Sequence, residues 1–299
     1  FDKCLEMGFQ DEMSRLIQFL PGLRRHFLLS ATEAEEIPRF VHMGRVEKID
    51  YRMDEEQVPE RVHIYKVESP VKDKLESLGR LLRSLGETST IVFLNYRDSV
   101  ERTNNYLVEQ GFSTSFFHGG LEQKEREASL YRFSNGSANI LVSTDLASRG
   151  LDIPDIDNII HYHIPESEDG YIHRVGRTAR WEAQGRAFFL LGPEEHIPEY
   201  VDAAVEDYEI PAVEELPAPA KPKMATLYIG KGKKDKISKG DILGFLCKKG
   251  GLNSSEIGKI DVNDRYAYAA IARPKLKSVL NNVKGEKIKG VKTIVEEVR

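Results

Sequence analysis

Between residues 61 and 191, apolar strand patterns alternate with amphipathic helix patterns, and this order constrains the fold more than any other feature of the sequence. A strand pattern over residues 61–67 leads into a helical stripe that Gly86 ends, and Thr90–Leu94 forms the next buried strand. The repeated order predicts an α/β fold with a doubly wound parallel sheet, whose last strand is Arg186–Leu191. The helical stripe consists of Val71, Leu75, Leu78, Leu82 and Leu85.

Breaks in this pattern divide the chain into three folded units. The middle unit spans residues 61–210, between a linker without apolar periodicity at 51–60 and a Pro/Ala linker at 211–224. Residues 1–50 are interpreted as the end of another α/β unit, with a helix around Asp11–Ile17. Residues 225–299 follow the order β-α-β-β-α-β, a split βαβ arrangement whose final strand is Lys292–Val295. Because the chain opens at Phe1 inside a structural unit, we expect it to be a fragment of a longer protein.

The charge of the chain is asymmetric, although its net value is only -5. Residues 221–299 contain 19 Lys and Arg against 8 Asp and Glu, whereas residues 1–220 contain 24 against 40. This basic excess on one small unit favours a polyanionic partner, and nucleic acid is the partner that it indicates. The basic side chains form a loop of Lys231, Lys233, Lys234 and Lys236 and a later group of Lys287, Lys289 and Lys292.

Polar residues collect where three predicted strands end. In open α/β sheets, ligands bind at the carboxyl ends of the strands, and glycines there let backbone N–H groups approach a phosphate. Helix capping is the preferred explanation for the first end alone, and plain turn chemistry for any single glycine, but three such ends favour a ligand site. The residues are Ser30 and Thr32 at the first end, Gly119, Gly120, Gln123 and Arg126 at the second, and Thr144, Asp145, Arg149, Gly150 and Asp152 at the third.

The segment His173–Arg180 is the most informative single motif. It follows Ser167, a predicted helix N-cap, and on a helix that continues to Arg180 the side chains of His173, Arg177 and Arg180 would share one face. Such a face suits a polyphosphate, because a planar guanidinium can bridge two phosphate oxygens and stabilise the charge that builds up in phosphoryl transfer. For the motif taken alone, a basic surface helix that merely faces solvent stays an open alternative.

Several classes of protein are disfavoured by what the sequence lacks. Cys4 and Cys247 are the only cysteines, which is too few for a disulfide framework or a cysteine metal site. No apolar run approaches the roughly 20 residues of a membrane span, and there is no signal-peptide pattern. His161 and His163 have no carboxylate or cysteine at a useful spacing, so the sequence predicts no metal site. These features indicate a cytoplasmic protein without membrane contact.

Five motifs occur in the order that one known family shows. Phe1–Asp2 look like the end of a D-E-x-D box, and Ser30–Thr32 form the triplet S-A-T. Residues 118–126 match H-G-x-x-x-Q-x-x-R, residues 143–152 match S-T-D-x-x-x-R-G-x-D, and residues 173–180 match H-R-x-G-R-x-x-R. On these motifs the chain resembles the DEAD-box ATP-dependent RNA helicases, specifically the DbpA-type subgroup with an extra C-terminal RNA-binding domain. The resemblance implies RecA-like domains over residues 1–210, with ATP and Mg²⁺ as cofactors.

The resemblance also implies roles for individual residues. Arg177 and Arg180 would act as arginine fingers on the γ-phosphate, and His173 would couple that site to the D-E-x-D box and to S-A-T. Asp2 would be a further catalytic residue, and Ser30 and Thr32 would have the coupling role. The ATP-binding residues would be Arg149, Gly150 and Asp152, and the residues along the RNA would be Gly119, Gly120, Gln123, Arg126, Thr144 and Asp145.

Parts of the family pattern do not occur in this sequence. The phosphate-binding G-x-x-x-x-G-K-[ST] loop, the first two residues of the D-E-x-D box and the adenine-reading segment are missing. The main ligands of ATP and Mg²⁺ would lie outside this chain, and Asp2 alone could not hold Mg²⁺ properly. We therefore expect the chain by itself to lack RNA-stimulated ATPase activity.

The C-terminal unit is similar to an RRM-like domain. Leu227–Ile229 resembles the RNP2 strand and Tyr266–Tyr268 the centre of RNP1. The tyrosines of these two strands could stack on RNA bases, or they could face a helix, and the sequence favours neither interpretation. In the subgroup this domain brings the helicase core to a hairpin of 23S ribosomal RNA, which implies pre-ribosomal particles as partners of a monomeric protein. The residues predicted to contact RNA are Tyr228, Tyr266 and Tyr268, with Lys231, Lys233, Lys234, Lys287 and Lys289 on its backbone.

Two other classes of function remain as alternatives. An ATP-independent RNA-binding or annealing protein would use the core as a scaffold, but a scaffold would not need Arg177, Arg180 and Asp152 together. A DNA helicase is disfavoured by the S-A-T and H-R-x-G-R forms and by the RNP-like tail. Substituting Arg177→Ala in a full-length protein separates the first two classes, because a helicase would lose unwinding and a scaffold would lose nothing.

Overall fold

A computed structural model describes residues 9–22, 24, 25, 27, 28, 41, 47, 49, 61–145, 156–178 and 184–298. The chain separates into two compact units, residues 1–55 and 56–299. In the first unit, α1 (Gln10–Gln18) lies where a helix was predicted, and Asp11 and Glu12 complement the dipole at its N-terminus. Within the described residues, no helix combines the length and the apolar character needed to cross a bilayer.

The second unit contains a seven-stranded parallel sheet with the strand order β3-β4-β2-β5-β6-β1-β7. This confirms the doubly wound α/β fold. Its strands are β1 (Val62–Glu68), β2 (Thr90–Leu94), β3 (Thr114–Phe117), β4 (Ile140–Thr144), β5 (Asn158–His161), β6 (Gly185–Leu191) and β7 (Val205–Asp207). Its helices are α2 (Leu75–Leu85), α3 (Arg97–Glu109), α4 (Gln123–Ser134) and α5 (Glu168–Val175).

Helices cover both faces of this sheet, which is why its strands are apolar on both sides. All five residues of β2 are buried, and Val92 and Leu94 belong to one core while Ile91 and Phe93 belong to the other. Helix α2 buries seven of its eleven residues against the first core and ends at Gly86, whose φ of 67° lies in the region that glycine tolerates.

Two sequence predictions about this sheet are wrong. Residues 186–191 lie in β6 but are not the last strand, because β7 follows and pairs with β1. β7 has three residues, none of them buried, so it lacks the apolar pattern by which strands are found. Val71 does not belong to the buried stripe, since α2 begins only at Leu75 and Val71 is 52% exposed.

The C-terminal part of the second unit has a four-stranded antiparallel sheet of order β13-β8-β10-β9, as a split βαβ arrangement requires. The predicted final strand is displaced: Lys292 belongs to a hairpin of β11 and β12, and the last strand follows it. The hairpin turns through Lys289 and Gly290, which both have positive φ. The elements are β8 (Met224–Ile229), α6 (Lys239–Lys248), β9 (Ile257–Val262), β10 (Ala267–Ala272), α7 (Leu276–Asn282), β11 (Lys287–Ile288), β12 (Val291–Lys292) and β13 (Val295–Glu297).

The Pro/Ala segment between the two sheets is held along its length by hydrogen bonds to the parallel-sheet domain. Arg83 on α2 donates hydrogen bonds of 2.7 Å to the carbonyl oxygens of Leu216 and Pro217, and the Leu216 side chain is buried. Lys221 donates to the carbonyl of Gly111 at 2.5 Å. The segment therefore follows the surface of the parallel-sheet domain instead of crossing solvent.

Candidate functional site

Helix α5 carries the first part of the His173–Arg180 motif. Ser167 caps it as predicted, because its hydroxyl oxygen accepts a hydrogen bond of 3.1 Å from the backbone N–H of Gly170. The helix ends at Val175, however, and the backbone N–H groups of Arg177 and Thr178 bond three residues back in a tighter turn. The prediction that Arg177 shares a helical face with His173 is therefore wrong, because Arg177 lies in the turn after the helix.

His173 lies in the last turn of α5 and is partly buried. Its Nδ1 is 2.7 Å from the carbonyl oxygen of Asp169, so Nδ1 carries a proton that it donates to this oxygen. In the neutral ring, Nε2 is then the unprotonated nitrogen. The imidazole is held in one orientation, with Nε2 as the atom that could meet a ligand.

Arg174, which the sequence analysis did not select, is 1% exposed and forms the centre of a polar network. Its Nε and one Nη donate to the two carboxylate oxygens of Asp145 at 2.5 and 2.7 Å, and the same Nη donates to Asn95 Oδ1 at 2.8 Å. The other Nη donates to the carbonyl of His163 at 2.6 Å and lies 3.4 Å from Nδ1 of His161. The loops after β2, β4 and β5 thus meet at one guanidinium.

The loop after β3 contains Gly119 and Gly120, both exposed. A Cβ on Gly119 would lie 3.3 Å from a guanidinium nitrogen of Arg97, and a Cβ on Gly120 would lie 3.1 Å from Nδ1 of His118. Arg126 donates to the carbonyl oxygens of Leu121 and Gly119 at 2.9 and 2.7 Å, so it braces the loop. The glycines keep this loop thin enough for a ligand to lie close to the backbone.

The remaining predicted residues of this edge have different surroundings. Thr144 ends β4 and is buried, while Asp145 is bound by Arg174. Gln123 is exposed at the start of α4 and donates to Glu127 at 3.0 Å. Asp2, Ser30, Thr32, Arg149, Gly150, Asp152 and Arg180 lie outside the described residues.

Three residues of this edge were missed by the sequence analysis, namely Asn95, Arg97 and Arg174. Asn95 and Arg97 directly follow the buried strand β2, so the rule applied to the other strand ends would have found them. Arg174 had no such signal, because a buried arginine looks like a surface arginine in sequence.

The tyrosines of the RNP-like strands face helix α4 of the parallel-sheet domain. Tyr268 is 2% exposed and stacks on Tyr131 of α4, with ring centroids 5.1 Å apart and an interplanar angle of 29°. Tyr266 donates a hydrogen bond to Glu127, and Lys124 lies 5.0 Å above the ring of Tyr228. The sheet face that would have to receive stacked bases is thus occupied over Tyr268.

Further hydrogen bonds join the two domains beside this stack. Asn135, after α4, donates to the Thr226 hydroxyl at 2.9 Å, and that hydroxyl donates to Ser137 at 2.9 Å. Burial and the Glu127 carboxylate raise the pKa of Tyr268 to about 12, so this tyrosine stays a neutral phenol at any physiological pH. Tyr268 therefore takes part in this contact as an uncharged ring, beside the Glu127 carboxylate and the Lys124 ammonium.

The predicted lysines differ in their partners. Lys231 is 3.0 Å from Asp235, Lys234 is 3.3 Å from Asp264, and Lys289 is 3.4 Å from Asp241. Lys233 and Lys287 are exposed and form no ion pair with any described residue. Among the lysines predicted to contact RNA, these two are therefore directly available to a phosphate.

Comparison with known proteins gives two family matches. Residues 73–182 match the helicase conserved C-terminal domain, and residues 226–297 match the DbpA RNA binding domain. The chain is also similar to a solved structure of S. cerevisiae Dbp5 bound to RNA and ADP BeF3, with 23% identity and a TM-score of 0.56. That alignment covers 69% of this chain and 57% of the other, and it supports the RecA-like fold.

Two curated relatives align over nearly the whole chain. The ATP-dependent RNA helicase DbpA of Escherichia coli K12 is 35% identical over 97% of this chain and 64% of its own length. The ATP-dependent RNA helicase DbpA of Bacillus subtilis 168 is 29% identical over 97% of this chain and 66% of its own length. The chain thus spans just under two thirds of each of these relatives.

Proposed function

Because this chain belongs to the DEAD-box ATP-dependent RNA helicases, and within them to the DbpA type, we propose that it serves as the C-terminal part of an enzyme that uses ATP to remodel RNA. One observation carries the proposal. The loops after β2, β4 and β5 meet at Arg174, at the sheet edge that also carries the His173–Arg177 segment. A cation-bearing turn and thin, polar loops at one edge suit a nucleotide on one side and an RNA backbone on the other.

On the nucleotide side, we assign the family roles residue by residue. Arg177 and Arg180 would stabilise the γ-phosphate, His173 and Asp2 would be the other catalytic residues, and Ser30 and Thr32 would have the coupling role. Arg149, Gly150 and Asp152 would hold the ribose side. The fit rests on His173, whose ring orientation is fixed by Asp169, and on the partly buried Arg177. ATP with Mg²⁺ supplies the free energy and the transferable phosphate, while these residues supply positive charge and orientation.

On the RNA side, the exposed residues Gly119, Gly120 and Gln123 would face the backbone of the strand, and the buried Thr144 would support the site from the end of β4. Arg126 and Asp145 would act through the loops that they hold, and Arg97 would add a cation beside the glycines. Such contacts carry no base information, so this part of the protein would act on many sequences.

The target would be set by the C-terminal domain, for which we propose residues 225–299 after a linker at 211–224. Its lysines, above all Lys233 and Lys287, would bind a hairpin of 23S ribosomal RNA. Residues 61–210 would form the second RecA-like domain, and residues 1–50, with the linker 51–60, the remainder of the first. This assigns the protein, as a monomer in the cytoplasm, to pre-ribosomal particles of the large subunit.

RNA selectivity is tested by titrating the 299-residue chain with a 23S hairpin and with an unrelated hairpin of equal length, over a salt series. We expect tighter binding of the ribosomal hairpin, and a weaker salt dependence in the Lys233→Ala/Lys287→Ala variant. Lys72→Ala, an exposed lysine of the other domain, is the matched control and should change neither. Equal affinity for both hairpins would refute the ribosomal target and leave a general RNA helicase.

A second experiment concerns ATP. We propose that the 299-residue chain alone has no RNA-stimulated ATPase activity, because the phosphate loop of the family is not among its residues. Turnover above that of a mock preparation would contradict this. In the full-length protein, Arg177→Ala should abolish unwinding and keep hairpin binding, whereas unchanged strand annealing would favour an ATP-independent RNA-binding protein.

A further inference from the structure

We propose that Arg174 is a positioning residue that couples the RNA-facing loops after β2 and β4 to the turn that carries Arg177. This inference rests on the proposed function, since it assigns to one buried side chain the link between its two sides. Arg174 itself would touch neither RNA nor nucleotide, because it is 1% exposed.

The hydrogen-bond pattern of Arg174 is complete. A guanidinium has five N–H donors, and here the acceptors are two oxygens of Asp145, Oδ1 of Asn95, the carbonyl of His163 and Nδ1 of His161. Each acceptor belongs to the end of β2, β4 or β5, or to the loop that follows. The guanidinium also packs 5.3 Å from the ring centre of Phe93 in β2. A displacement of any one loop must therefore break or move bonds to the other two.

The network is connected on both sides to the predicted ligand residues. Asp145 directly follows Thr144, and Asn95 lies two residues before Arg97. On the other side, the carbonyl of Arg174 accepts a hydrogen bond of 3.2 Å from the backbone N–H of Arg177. An RNA backbone that moves the loops after β2 and β4 therefore acts on the residue from which the Arg177 turn is built.

Asn95 adds a second connection between the loop after β2 and the segment that leads into α5. Its backbone N–H donates to His163 Nδ1 at 3.1 Å, and its side-chain amide donates to the carbonyl of Ile164 at 3.2 Å. Asn95 is thus bound to the segment that leads into α5 as well as to Arg174. A lysine at position 174 would keep the charge but could not serve three loops, since its ammonium lacks the planar fork.

The test uses the 299-residue chain and a single-stranded uridine decamer, with backbone amide NMR as the readout. In the native chain, we expect the decamer to shift the resonances of Gly119 and Gly120 and also those of Gly176 and Arg177. Asn95→Ala removes the hydrogen bonds of the Asn95 side chain to Arg174, to the carbonyl of Ile164 and to Glu166, but it keeps the pair of Arg174 with Asp145. In this variant the shifts at Gly176 and Arg177 should fall by at least half. Those at the two glycines should remain.

Two further variants make the result specific. Ser167→Ala weakens the start of α5 without touching Arg174, and it should keep both sets of shifts. Arg174→Lys should lose the shifts at Gly176 and Arg177 wherever it folds. Two results would overturn the coupling alone. In the first, the decamer shifts Gly119 and Gly120 of the native chain but neither Gly176 nor Arg177. In the second, Asn95→Ala keeps the full shifts at Gly176 and Arg177. No shift at any of the four would overturn the proposed RNA side together with it.

Discussion

The stack of Tyr131 on Tyr268 gives a quantitative test of the contact between the parallel-sheet domain and the RRM-like domain. The two rings lie 5.1 Å apart, and both side chains are at most 5% exposed. We expect Tyr131→Ala and Tyr268→Ala each to lower the free energy of unfolding by about 3–5 kcal/mol, as truncation of a buried aromatic does. Because each ring loses the other as its neighbour, the losses should overlap.

The overlap is measured by a double-mutant cycle. The double variant should be more stable than the sum of the single losses predicts, by a coupling energy of about 1 kcal/mol, which is typical of an aromatic pair. The assay is urea unfolding of the 299-residue chain, followed by circular dichroism. Tyr131→Ala combined with Tyr106→Ala is the matched control, because Tyr106 packs in the parallel-sheet core and its losses should add.

A third substitution separates the ring from its hydroxyl. Tyr131→Phe keeps the stack but removes the hydrogen bond to the carbonyl of Lys259, so it should cost only about 1 kcal/mol. Strict additivity in the Tyr131/Tyr268 cycle, within about 0.3 kcal/mol, would refute the argument, since two rings in this contact cannot be energetically independent.

Three other predictions follow from single contacts. Ser167→Ala removes the cap of α5 and should destabilise the chain by about 1 kcal/mol in urea unfolding, and Ser167→Asn should restore it. The Lys74 ammonium is buried 2.5 Å from Glu195, and Glu195→Gln removes its counter-charge. This variant should lower the free energy of unfolding by about 2–3 kcal/mol, and adding Lys74→Met should restore most of the lost stability. Burial and the Lys74 charge lower the pKa of His163 to about 4, whereas the same side chain in the unfolded chain binds a proton near pH 6.5. The free energy of unfolding should therefore fall by up to about 3 kcal/mol between about pH 6.5 and pH 4. A His163→Gln variant whose stability keeps the same dependence on pH would contradict this.

The parallel sheet could be predicted from sequence because its signal is local. β2 is predicted residue for residue, since both of its faces are buried and its apolar run is unbroken. β7 could not be found, because its three residues gain their place by pairing with β1 and not by burial. The helix end at Val175 was missed for a related reason: the pattern of charged residues continues beyond it, while the backbone tightens at Gly176.

The candidate site was predictable where its residues follow the end of a strand, and not where a residue is distinguished only by what surrounds its side chain. The residues around Gly119 and Thr144 follow from the strand ends, whereas Arg174 could not be separated from its neighbours without knowing what surrounds it. The partner of Tyr268 was likewise beyond the sequence, because Tyr131 lies in another domain and helical spacing alone does not reveal what a helix faces.

The way in which the Pro/Ala segment is fixed changes what its length means. A free Gly/Ser chain as long as residues 211–224 would have an end-to-end distance of roughly 20 Å. It would present the RRM-like domain to its neighbour at a finite effective concentration, with an entropic cost for each encounter. Here Arg83 binds the backbone of the segment, and the segment's own Lys221 binds the carbonyl of Gly111, so much of that conformational freedom is already lost. The segment is a fixed connection between the two domains, and the end-to-end distance of a flexible chain does not describe it.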